Sequence, residues 1–83
     1  MKETMQDHYQ SKDLMLSAAL LAKGVPLLDA KDSGGYLIFY FGEPDECQKI
    51  EREWWLGELL VSAPKYAEAI KRLKGLIYSR TRY

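Results

Sequence analysis

Soft ligand chemistry is nearly missing from this sequence: Cys47 is the only cysteine and His8 the only histidine. One cysteine excludes an intrachain disulfide. A lone thiol and a lone imidazole far apart in the chain do not compose a zinc site, so neither metal nor cofactor is expected. An excess of one charge is missing too. Twelve Lys and Arg balance twelve Asp and Glu, which excludes a whole-molecule attraction to nucleic acid or to a membrane surface. Long apolar runs are also lacking. The longest, Leu14–Ala22, is interrupted by Ser17 and falls short of the roughly 20 residues that span a bilayer. Residues 1–10 carry no apolar stretch of the kind that marks an export signal, so the expectation is a cytoplasmic protein with no membrane role.

What is present fits one domain. A chain of 83 residues builds a core worth roughly 3–5 kcal/mol net, and such cores commonly need a disulfide, a metal or a partner chain. With the first two excluded, a partner remains. The charges are unevenly placed. From Pro64 onward there are six basic residues and one acid, Glu68, whereas residues 1–63 hold six basic and eleven acidic residues. The C-terminal segment is therefore net positive by five and the remainder net negative by five.

Residues 1–10 read as a polar arm on which Tyr9 can dock. A first helix is expected from Ser11 to Lys23, capped by Ser11 or Asp13 and stopped by Gly24 and Pro26. Leu14, Ala18 and Leu21 share one side of it, while Leu16 and Leu20 lie almost opposite, a pattern that means burial on two sides. A hairpin follows, with Val25 to Lys31 and Tyr36 to Phe41 joined by the Asp32-Ser33-Gly34-Gly35 turn. Its second strand has Leu37, Phe39 and Phe41 on the better core face and Tyr36, Ile38 and Tyr40 on the other. A second helix begins at Pro44, with acids at its positive end, and stops at Gly57. Cys47, Ile50 and Trp54 form its inner side, and Trp55 lies on the flank. Leu59 to Val61 make a short third strand. A last helix starts near Pro64 with an inward stripe of Tyr66, Ile70, Leu73 and Ile77, Ala67 beside it, and frays near Ser79. The fold class is α+β, a single domain over residues 11–79 with a tail at 80–83. The order is α-β-β-α-(β)-α, with an antiparallel hairpin against helices.

No catalytic constellation emerges. Cys47 sits on an apolar helical stripe and reads as a small inert hydrophobe. The carboxylates at helix starts are explained by the helix dipole. Gly34-Gly35 is followed by a strand, so it is a turn and not a phosphate loop. Two features remain. The first is an apolar excess: Leu16, Leu20, Tyr36, Ile38, Tyr40 and Trp55 exceed what so small a core holds, which points to a homodimer surface. The second is the basic C-terminus, where Lys71, Arg72, Lys74, Tyr78, Arg80 and Arg82 combine cations with a ring suited to nucleic acid.

Four motifs in order carry a resemblance. They are Ser11-Lys12-Asp13-Leu14 opening an Ala/Leu-rich helix, and Ser33-Gly34-Gly35 before an aromatic strand. Trp55-Leu56-Gly57-Glu58-Leu59 is the third, and Pro64 with Tyr66-Ala67-Glu68-Ala69 and Leu73-Lys74 the fourth. Over residues 9–79 the chain resembles a family of short bacterial and phage domains of unknown function. The departure is Ser62-Ala63, where an acidic cap is expected. The resemblance implies an accessory binding module and brings no catalytic residues. The expected function is thus a self-associating interaction module without catalysis. The alternative is an accessory domain binding nucleic acid through its basic last helix.

Overall fold

A computed structural model describes residues 8–81. The elements are β1 (Tyr9–Ser11), α1 (Leu14–Ala22), β2 (Leu27–Asp32), β3 (Leu37–Phe41), α2 (Pro44–Leu56) and α3 (Ala63–Thr81). The fold is α+β, with three helices against a three-stranded antiparallel sheet of order β1-β3-β2.

Each boundary has a local cause. The Asp13 carboxylate accepts from the N–H of Met15 at 2.9 Å and of Leu16 at 3.2 Å, satisfying two orphan donors at the start of α1. Gly24, at φ 94°, turns the chain out of the helix, and the Val25 N–H returns to the Leu20 carbonyl at 3.1 Å. The hairpin closes through the Ser33 N–H to the Tyr36 carbonyl at 2.8 Å. Pro44 opens α2 with Asp45 and Glu46 in its first turn, and Gly57 ends it at φ 74°. Ser62 precedes α3; its carbonyl accepts from Tyr66 N–H at 2.9 Å and its hydroxyl, more weakly, from Lys65 N–H at 3.4 Å.

The core gathers from every layer. Leu37, Phe39 and Phe41 of β3 face Leu16, Ala18 and Leu20 of α1, Cys47 and Ile50 of α2, and Ala69 and Leu73 of α3. Burying each of the larger side chains contributes about 1.5–3 kcal/mol. α1 lies at the centre, touching β1, α2 and α3. Ser17 is buried with it, and its hydroxyl donates to Ser11 Oγ at 2.8 Å, so the one polar side chain in the middle of α1 has a partner.

Three expectations are corrected. Leu59 to Val61 form no strand; the third strand is β1, made of Tyr9 and Gln10 from the expected arm and Ser11 from the expected start of the first helix, and Tyr9 pairs with Phe41 across it. β3 is therefore the middle strand. Ala67 is exposed and Ala69 takes its expected place inside α3. Leu16 and Leu20 are core residues, 4% and 0% exposed, because α1 packs on α3, α2 and β1. Neither leucine can belong to a self-association surface.

Candidate functional site

The thiol is the strongest nucleophile of the chain, and its setting disarms it. Cys47 is fully buried and its Sγ donates to the Gly42 carbonyl at 3.3 Å. Burial first, then the carboxylates of Glu43 and Glu46, push the thiol up to about 11, so it stays protonated near neutrality. His8 lies on the other side of the sheet, edge-on to the Tyr40 ring with centroids 5.3 Å apart. Thiol and imidazole therefore do not meet. Among the described residues, no three His, Cys, Asp or Glu side chains are placed to hold a metal ion.

Tyrosine hydroxyls serve as struts. Tyr9 donates to Glu51 at 2.6 Å, and Tyr66 donates to the Met15 carbonyl at 3.2 Å. Desolvation raises both phenols above their ordinary value, Tyr9 further because its hydrogen-bonded partner is a carboxylate.

The remaining sequence-derived candidates fall into three places. Trp55 is 68% exposed at the end of α2, beside Leu56 at 62%, and Leu60, in the segment that follows, is 82% exposed. Next to them a shallow cleft is lined by Trp54, Gly57, Leu59, Val61 and Tyr66. Ile38 and Tyr40 lie on the outer face of β3, Tyr36 lies in the turn just before it, and none of the three takes part in the core. Lys71, Arg72, Lys74 and Tyr78 are exposed on α3. They are not one ridge: Arg72 lines a groove with Leu27, Ala30 and Leu76, whereas Lys71 lies by Pro64 and Ala67. Of Arg80 only the backbone is described, and Arg82 lies outside the described residues.

Sequence reasoning missed Leu60, which it placed in a strand, and missed the cations around the tyrosines. Lys12 Nζ stands 5.0 Å from the Tyr36 ring centroid and Lys31 Nζ 5.4 Å from that of Tyr40. The signal for Lys31 was available: with the hairpin turn fixed, antiparallel register sets it opposite Ile38. Among the described residues, no helix is long and apolar enough to cross a membrane. Comparison with family models, curated proteins and solved structures finds no match for the chain.

Proposed function

We propose that the chain is a small cytoplasmic interaction module that pairs with a second copy of itself and performs no catalysis of its own. The observation that carries this reading is the trio Trp55, Leu56 and Leu60, three large apolar side chains exposed within six residues of chain. Exposed aromatic anchors of this kind are enriched in interfaces and cost free energy in water. The rim suits a twofold pairing. Lys23 Nζ reaches the Leu60 carbonyl at 3.2 Å, and Glu58 follows Gly57 directly, so charges of both signs border the trio. A twofold axis can set each cation against the partner's acid. The resemblance to small bacterial and phage domains supports an accessory role of this type.

Light scattering on a size-exclusion column tests it. The expected mass is that of two chains at micromolar concentration, falling to one chain in a Trp55→Glu, Leu60→Ser variant whose circular dichroism is unchanged. A monomer that persists to high micromolar concentration would sink the proposal.

A second reading places nucleic acid on α3, supported by exposed Lys65, Lys71, Arg72 and Lys74 against Glu68 as the helix's one acid. Salt-dependent duplex DNA binding that is lost in a Lys71→Ala, Lys74→Ala variant is the outcome that reading requires.

A further inference from the structure

The outer face of the sheet holds side chains that the core does not explain. Tyr40, in β3, and Tyr36, in the turn just before that strand, are two of them, with Ile38 between. Register sets Gln10 on one side of Tyr40 and Asp29 on the other, with Lys31 opposite Ile38. Lys12 Nζ lies over the Tyr36 ring at 5.0 Å, Lys31 Nζ over the Tyr40 ring at 5.4 Å, and His8 meets Tyr40 edge-on at 5.3 Å. The helices pack against the opposite face, through Leu37, Phe39 and Phe41.

We infer that this face binds single-stranded nucleic acid, with Tyr36 and Tyr40 stacking on bases and Lys12 and Lys31 meeting the phosphates. Bases stack on aromatic side chains with little regard to sequence, because every base has a π-face, and cations beside the rings track the backbone. The ammonium groups now seated over the rings do not obstruct this. An exposed cation–π contact is worth about two- to fivefold in an equilibrium. Stacking a base is worth about five- to a hundredfold, so a base displaces the ammonium, which then turns to a phosphate.

Charge selects the occupant. Lys12 and Lys31 face Asp29 as the acid in register with the tyrosines, and Asp29 Oδ1 already accepts from the Ala30 N–H at 2.8 Å. Two cations against one acid leave this face net positive, and a polyanion neutralises both ammonium groups. A duplex keeps its bases stacked on one another and offers the rings nothing, so the strand must be single.

The inference is independent of the proposed pairing at the end of α2, and mass and binding are read separately. Fluorescence anisotropy of labelled oligo-dT and oligo-rU of about twelve nucleotides, a length within the usual site sizes, is compared with a duplex at low and moderate salt. Expected are salt-dependent binding of the single strands, weaker duplex binding, and about tenfold loss in each of Tyr36→Ala and Tyr40→Ala. Tyr40→Phe retains binding, and Lys12→Glu, Lys31→Glu flattens the salt dependence. Lys49→Ala, on the exposed side of α2, leaves binding unchanged. Tyr40→Leu, which keeps apolar bulk without a π-face, gives the same answer should Tyr40→Ala fail to fold. No single-strand binding at low salt overturns the inference. So does equal affinity for the duplex, or binding that survives Tyr40→Leu and vanishes with Lys71 and Lys74.

Discussion

The Tyr9 hydroxyl donates to Glu51 Oε1 at 2.6 Å, fastening the first strand to the middle of α2 across 42 residues of chain. The bond spans the sheet and a helix that share no covalent neighbourhood, and the ring beneath it packs on the core. Tyr9→Phe keeps the ring and removes the donor. Glu51 is half-buried and regains water, so the expected loss is about 1 kcal/mol, and the urea midpoint measures it.

Leu20 is 0% exposed at the centre of the molecule. Leu20→Ala is expected to cost about 2–5 kcal/mol, comparable to the whole stability of a domain this size. Leu20→Asp buries an unpaired carboxylate and unfolds the chain. Loss of the native circular dichroism and of a cooperative urea transition reports both. A folded Leu20→Asp protein that merely changes oligomeric state would contradict the packing described above.

Two glycines respond with opposite sign. Gly57 stands at φ 74° with open space around the position of a Cβ, so Gly57→Ala meets backbone strain alone and loses about 1 kcal/mol. Gly75 lies inside α3, also with open space, and has helical neighbours on both sides. Gly75→Ala gains about 0.5–1 kcal/mol by reducing the freedom of the unfolded chain. Thermal melts of the pair give the comparison.

Alkaline pH weakens the fold through Cys47. Its thiol is raised from 9.0 to about 11 in the folded state, so above pH 9 the unfolded chain releases a proton that the folded chain retains. Stability is complete below pH 9 and falls as pH rises towards 11. Tyr9 acts in the same direction at higher pH, its phenol being raised as well. Urea midpoints across this range are expected to fall more steeply for the native sequence than for Cys47→Ala. Parallel slopes would show that the thiol has no part in it.

Much of this architecture is legible in the sequence. Capping at Asp13, the glycines of the hairpin turn, Pro44 and Gly57 are local signals, and each falls where the chain turns. What escaped was non-local. Three residues, Tyr9–Ser11, are too few to show a strand's alternation, and only β3 as a neighbour makes them one. Leu16 and Leu20 marked α1 for burial on two sides, but the sequence does not say whether the second cover is the chain's own or a second copy's. The tyrosine face was visible as an alternation in β3. The lysines that flank it come from β2 and from the turn into α1, and needed the register of the sheet.

The burial of α1 has a consequence for biosynthesis. Its broadest cover is α3, so a helix finished by residue 22 is sheltered by side chains up to Leu73 and beyond. In a chain made N-terminus first, about fifty further residues are translated before that cover exists, a few seconds at ordinary elongation rates. Closure of the core around this segment therefore waits for α3.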